Sequence, residues 1–461
     1  MSELDLVIKG GEIVTAKSIV KADIGVANGK VVQIGGELTA GKEISAEGKL
    51  VLPGGIDAHV HLNSQLARTE KPAWVDDFTN GSRAALAGGI TTLGNMTFAK
   101  SDETPFSAFE RERKAAATQA IADYFLHPVV MEPTPEVLAE IPKLFANGCR
   151  SLKIFMPMPT FDPHVRQFLE LTRQAGENGL ISIFHCEDFA IMQDATAQLS
   201  FAGRTSLRYF SESRPVLAEV VATQRAVAFA EATNSPIYIV HLSSKRALAV
   251  CAEAKARKVP VFVETRPLYL HLTQESLLEV EGAKYVGQPP LREQSDVEAL
   301  WEGLQEGTIN TVCTDHAPWL LKDKLDISLD ITNLRPGVEN LETMLPMLYS
   351  EGVLKRGLSL QRLVEITSTN AAKIFGLYPQ KGTIEVGCDA DLVIFDQHLK
   401  HQVAGTSLKS NADYSVYEGW EVTGKPIVTI RRGEVVYQDG TIIGKAGTGI
   451  FQVAGSPPLL K

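Results

Sequence analysis

The sequence predicts an α/β protein, a closed (β/α)8 barrel of the TIM type with a small β-sandwich domain assembled from both termini. Three observations predict it. Short apolar runs alternate with helical stretches eight times through the middle of the chain. Turn-punctuated β texture opens the chain and returns near its end. A length of 461 residues also exceeds a barrel of about 250 residues by enough for a second module.

The eight runs are Leu52–Leu62, Ile90–Met96, Tyr124–Val130, Ser151–Met156, Ile181–Cys186, Ile237–Leu242, Val261–Thr265 and Thr311–Cys313. Between them, Asp162–Asn178, Arg214–Thr233 and Lys245–Arg257 have helical length and composition. Such alternation implies parallel strands with helical crossovers, and eight units imply closure. The barrel is expected over residues 52–380. Residues 1–51 and 381–461 are expected to form the sandwich and a tail. Leu6–Lys9, Glu12–Thr15, Ala22–Ala27 and Val31–Ile34 read as strands, with Asn28-Gly29 as a hairpin turn. Asp391–Phe395, Ile427–Arg431 and Glu434–Tyr437 repeat the texture, with Gly433 and Asp439-Gly440 as turns.

Composition narrows the class of function. Hydrophobic residues at 44% and charged residues at 22% suit a chain that buries a large core. A net charge of −10 argues against nucleic acid or an anionic membrane surface as partner. No apolar run approaches the roughly 20 residues that span a bilayer. Met1-Ser2-Glu3-Leu4-Asp5 carries acids where a signal peptide carries positive charge, so a cytoplasmic location is expected. Cys149, Cys186, Cys251, Cys313 and Cys388 are scattered and odd in number. They fit neither a disulfide framework nor a thiolate zinc site, and read as small core residues.

Enzymes of this architecture keep their chemistry where the strands end. The first run ends in Asp57-Ala58-His59-Val60-His61, and strand alternation puts both imidazoles on one face. Lys153 stands inside the apolar run Ser151–Met156; it is either ion-paired, snorkelling to the rim, or functional. His185, His241 and Thr314-Asp315-His316 end three further runs. Any one of these histidines would more often be a hydrogen-bonded core residue. Together, four histidines, a lysine and an aspartate at the ends of five strands point to a metal centre. Imidazole and carboxylate suit zinc, and also manganese or cobalt. A lysine carbamylated by carbon dioxide becomes a carboxylate able to bridge two ions roughly 3.5–4 Å apart, and such a pair activates water and polarises a carbonyl.

These motifs resemble the amidohydrolase superfamily, in its hydantoinase, dihydropyrimidinase and allantoinase branch. The resemblance is carried by Gly54-Gly55-Ile56-Asp57-Ala58-His59-Val60-His61, Ser151-Leu152-Lys153-Ile154-Phe155-Met156, His185, His241-Leu242-Ser243-Ser244 and Thr314-Asp315-His316. Gly387-Cys388-Asp389-Ala390-Asp391-Leu392-Val393 matches the return to the sheet domain. It implies two divalent metal ions, zinc first. His59, His61, Lys153 and Asp315 match the ligands of one ion. Lys153, His185 and His241 match those of the other, with Lys153 carbamylated and Asp315 as general base. It also implies a homotetramer.

The activity so implied is hydrolysis of hydantoin- or dihydropyrimidine-type cyclic ureides to N-carbamoyl amino acids. Allantoinase is the alternative, kept open by Arg68-Thr69-Glu70 in the loop after the first run. Dihydroorotase is disfavoured because Asn63 stands where an arginine would hold the substrate carboxylate. A non-catalytic scaffold of the same fold would have no reason to keep all six ligand positions. The chain departs from the D-selective enzymes at Met158, five residues after Lys153, where a tyrosine usually donates to the oxyanion. With Met156 and Phe161 it makes an apolar loop closer to the L-selective type, or else packs beneath that loop. Gln288 in Gly287–Arg292, and Asn333 and Gly337 in Thr332–Gly337, occupy the segments expected to hold the ring. Leu66, Trp74, Met158 and Phe161 are expected around its substituent.

Overall fold

The computed structural model describes residues 4–62 and 72–455. The expectations at Asn63, Leu66, Arg68, Thr69 and Glu70 lie outside the described residues.

Eight parallel strands form the barrel: Gly55–Val60, Ile90–Thr97, Asp123–Val130, Ser151–Phe155, Ile181–His185, Ile237–Ile239, Val261–Thr265 and Thr311–Val312. Each pairs with its neighbour in sequence order. The circle closes where Val60 meets His316 in a parallel bridge and His61 N donates to His316 O at 2.8 Å. Interior strands read as continuous apolar runs because both faces are covered, and every residue of the second and third strands is buried. The interior is tight: a Cβ at Gly94 would lie 2.6 Å from His127 Nε2 and 2.9 Å from Ala58 Cα.

Several crossover helices begin at side-chain caps that satisfy free helix N–H groups. Asp77 accepts from Asn80 N at 2.8 Å ahead of Phe78–Ala87. Thr104 and Ser107 cap Pro105–Gln119 reciprocally, and Ser244 caps Lys245–Ala256. The helical stretches expected over 162–178, 214–233 and 245–257 contain the helices Val165–Glu177, Val216–Thr233 and Lys245–Ala256.

The second sheet has nine strands and is mainly antiparallel. Its N-terminal part holds Leu6–Val14, Ile19–Ala27, Lys30–Ile34, Glu43–Ser45 and Leu50–Pro53. Its C-terminal part holds Leu392–Gln402, Glu421–Arg431, Glu434–Gln438 and Thr441–Ile442. The two parts join where Leu50–Pro53 pairs with Leu392–Phe395. Asn28 (φ 52°) and Gly29 (φ 73°) turn the expected hairpin, the two positive φ values that a two-residue turn between strands requires. Leu6, Ile24, Val26, Leu392, Ile394 and Ile430 share one apolar core. The apolar run Leu52–Leu62 therefore divides at Gly54: its start belongs to the terminal sheet and its remainder to the barrel. All five cysteines are buried and free.

Buried charge ties the two parts together. Lys381 Nζ reaches Asp123 Oδ2 at 2.8 Å at the foot of the third barrel strand and Asp391 Oδ2 at 2.6 Å beside the terminal sheet. Among the described residues no helix is long and apolar enough to cross a membrane.

Candidate metal centre and substrate pocket

The barrel mouth gathers the six residues expected to carry chemistry, and the network beneath them explains their orientation. His59 Nδ1 donates to Glu264 Oε1 at 2.8 Å, which leaves Nε2 bare and 3.2 Å from Asp315 Oδ1. His61 Nε2 lies 3.0 Å from the same oxygen. Glu264 also accepts from Tyr238 Oη at 2.8 Å and from His241 N at 3.0 Å. Burial pushes Glu264 up to about 7 against those bonds. Asp57 Oδ1 accepts from His59 N at 3.0 Å and from Thr314 N at 3.2 Å, joining the first strand to the last beneath the ligands.

On the other side, His185 Nε2 meets Glu187 Oε2 at 2.7 Å. Arg214 holds Glu187 with two bonds, at 2.9 and 2.5 Å. The His185 and His241 rings lie 4.3 Å apart. Lys153 is fully buried, with its Nζ 4.7 Å from the Phe155 ring and without a hydrogen-bond partner among the described residues. Burial pushes this amine down to about 8, opposed by Glu264 and Asp315. Burial also holds His59 and His241 well below the usual imidazole range and lowers His185. Neutral imidazoles keep a lone pair for a metal. Burial alone would raise Asp315, but the guanidinium of Arg266 and then His59 outweigh it and hold the carboxyl well below its usual range.

These residues fit a metal ion. His59, His61 and Asp315 offer ligand atoms within 4.8 Å of one another, all buried. Ligand atoms about 2.0–2.1 Å from one ion stand roughly 3 Å apart, close to the 3.0 and 3.2 Å seen. The orphaned Nζ of Lys153 and Nδ1 of His241 mark the second half of the cluster as polar and unsatisfied, which a buried group rarely is without a partner to come.

Above the cluster opens a cavity of about 430 Å³, within the usual range for small-molecule sites. Trp74, Phe98, Met131, Phe155, Met158 and Met192 give it apolar walls, and Gln193, Arg214 and Gln288 add polar groups. Trp74 and Phe98 stand 4.9 and 5.9 Å from the His61 ring. Gly337 lines the cavity; at φ 119° its Cβ would meet Ala317 O at 2.3 Å. Lys324 Nζ staples two loops beside the cavity, donating to Val286 O at 2.8 Å and Gly337 O at 2.7 Å.

Two sequence expectations need correction. Asn333 is exposed and does not line the cavity: its Oδ1 accepts from Asp330 N at 2.7 Å within a surface turn. Phe161 packs on Phe168 at 4.8 Å beneath the loop, and Met156 is buried in the same core, so only Met158 of that trio faces the cavity. His316, never among the expected ligands, meets Asp76 at 2.8 Å, and Ser410 donates to the same carboxylate. Sequence reasoning missed Glu264, Arg266, Glu187 and Arg214. A buried acid in the apolar strand Val261–Thr265 was the available signal for Glu264.

The matches with known proteins agree with this geometry. The family model for the amidohydrolase family matches residues 50–436. A D-hydantoinase of Ralstonia pickettii is 36% identical over 455 residues, 97% of this chain and 98% of the relative. A solved dihydropyrimidinase from Brevibacillus agri superposes with a TM-score of 0.92 at 35% identity, covering 98% of both chains. An L-hydantoinase (dihydropyrimidinase) from Arthrobacter aurescens gives 0.91 at 32% identity, covering 97% of this chain and 99% of its own. A metal-dependent family, a parallel barrel and a buried His-His-Asp cluster at its mouth converge on one assignment: the chain belongs to the amidohydrolase family.

Proposed function

We propose that the chain is a hydantoinase or dihydropyrimidinase, opening the ring amide of cyclic ureides to give N-carbamoyl amino acids. The observation that carries this reading is the convergence of His59, His61, Lys153, His185, His241 and Asp315 beneath one apolar cavity. Relatives of nearly equal length named D-hydantoinase, D-phenylhydantoinase and dihydropyrimidinase support it. In this reading His59, His61, Lys153 and Asp315 hold one divalent ion, and Lys153, His185 and His241 the other. Zinc is the first choice over manganese or cobalt, and Lys153 is the carbamate. When bound, the ions supply Lewis-acid polarisation of the ring carbonyl and lower the pKa of water.

The chain's own residues do the rest. Asp315 accepts the proton of the attacking water and delivers it to the departing ring nitrogen. Glu264 keeps the Nε2 of His59 free, and Glu187 does the same for Nδ1 of His185. Backbone groups beside Gln288 and Gly337 hold the ring amide, and Met158 offers the substituent an apolar wall. The homotetramer implied by the family resemblance belongs to the same reading and is checked by sedimentation.

The substrate follows from the walls. An apolar or aromatic ring substituent gains roughly 0.8 kcal/mol per buried methylene against Trp74, Phe98 and Met158. The ureido arm of allantoin would leave unpaired groups there, at about 1–3 kcal/mol each. Allantoinase is the second reading, favoured by Gln193 and Arg214 on the same cavity. Side-by-side rates on zinc- and manganese-loaded protein test the choice. 5-Benzyl- or 5-isopropylhydantoin should show higher kcat/KM than allantoin, with dihydroorotate barely turned over. Allantoin ahead by about tenfold or more would sink the apolar-pocket reading, and a fully loaded protein inert on every ureide would favour the scaffold.

A further inference from the structure

Arg266 follows the seventh barrel strand and is among the largest fully buried side chains of the protein. Its Nη1 donates to Asp315 Oδ2 at 2.6 Å, while Nε and Nη2 have no acceptor among the described residues. That is a costly use of a guanidinium. A buried arginine kept for stability ordinarily engages a carboxylate with both arms of its fork, and buried donors left unpaired are paid for in desolvation. A buried ion pair is also often replaceable by apolar residues without loss of stability. Here the carboxylate is engaged through one nitrogen and one oxygen, with the Tyr269 ring as the guanidinium's other neighbour.

The surroundings leave that geometry little freedom. The other oxygen of Asp315 faces His61 Nε2 at 3.0 Å and His59 Nε2 at 3.2 Å, so the carboxylate has close neighbours at both ends. The Gly287 backbone closes over the guanidinium: a Cβ there would stand 3.0 Å from Nη1. The Tyr269 ring lies below, 5.4 Å from Cζ. Lys324, a second buried basic side chain near Arg266, donates to the carbonyls of Val286 and Gly337 and does not compete for Asp315. Asp315 itself sits at φ 51°, a left-handed conformation that strains a non-glycine residue.

We infer that Arg266 is a positioning residue for Asp315: by holding Oδ2 it keeps Oδ1 against His59 and His61 and sets the direction from which the carboxylate meets the substrate. The inference rests on Asp315 being the proton carrier, and the test separates the two. Arg266→Met and Arg266→Lys are compared with Asp315→Asn for kcat, KM, metal content, melting temperature and the visible spectrum of cobalt-loaded protein. Arg266→Met is expected to lose about ten- to a hundredfold in kcat with KM changed less than about threefold. Metal content should hold while the cobalt spectrum shifts, and Arg266→Lys should recover part of the rate. A kcat within about threefold of wild type in Arg266→Met, with an unchanged cobalt spectrum, overturns the inference even if Asp315→Asn is inactive. If Arg266→Met does not fold, Arg266→Lys decides: reduced kcat at unchanged KM supports positioning, and normal kcat refutes it. Failure of both variants to fold makes Arg266 structural only and also overturns it. A fully active Asp315→Asn instead removes the reading on which the inference stands.

Discussion

Replacing Lys153 with methionine should move stability and metal content in opposite directions. The amine is fully buried and has no hydrogen-bond partner among the described residues, so in the metal-free protein its desolvation is only partly offset, by Glu264 and Asp315. A methionine of similar length removes that cost, and the metal-free variant should gain about 1–3 kcal/mol. The loaded protein should behave in reverse. Burial pushes the Lys153 amine down to about 8. Near pH 7.5 about a quarter of it is then neutral, against about a thousandth for an ordinary lysine. Only the neutral amine condenses with carbon dioxide: an N–C bond forms, a proton leaves, and a would-be cation becomes a carboxylate. Methionine cannot make that change, so Lys153→Met should bind well under the two ions expected of wild type and fall below about a hundredth of its turnover. Elemental analysis, intact mass under mild conditions and carbon NMR with labelled carbon dioxide read the outcome, alongside melting of the chelated proteins. A fully active enzyme holding two metals with an unmodified Lys153 would refute the reasoning.

Asp315→Asn should keep the fold and much of the metal while cutting turnover by at least about a hundredfold; near-normal rates would show that another group carries the proton. Gly337→Ala meets both a φ of 119° and a carbonyl 2.3 Å from the new Cβ. It should raise KM at least about tenfold or lower stability by about 1–3 kcal/mol, and steady-state kinetics with melting curves distinguish a harmless change. Glu342 is buried, and burial pushes its carboxyl up to about 7 against the Lys409 N–H and Lys425. A raised folded pKa means its stabilisation is complete below about pH 4.5 and is lost as pH rises through about 7, at most about 3 kcal/mol. Glu342→Gln should therefore melt progressively higher than wild type between about pH 5 and 8, and parallel melting profiles would count against it.

What could be read in advance was what the chain states locally. Eight apolar runs separated by helical stretches name a barrel because each βα unit is written in one contiguous segment. His59 with His61, and Thr314 with Asp315, are likewise adjacent in sequence and fall where strands end. One run, Leu52–Leu62, contains strands of two different sheets. Apolar continuity reports burial, not which neighbour a strand pairs with. Asn333 misled for a related reason: a polar residue in a loop satisfies its own turn as readily as a ligand, and here Asp330 claims it. The residues missed altogether act across the fold. Glu264 lies 205 positions from His59, and Arg266 lies 49 from Asp315. Their roles exist only once the barrel closes and brings the ends of the first, seventh and last strands together at its mouth. The same closure decides chemistry that no motif encodes. The bare nitrogen of His59 follows from which of its two nitrogens meets Glu264, and the orientation of Asp315 follows from which of its oxygens meets Arg266. A metal-ligand motif thus names the atoms available, while the distant partners select which of those atoms face the substrate.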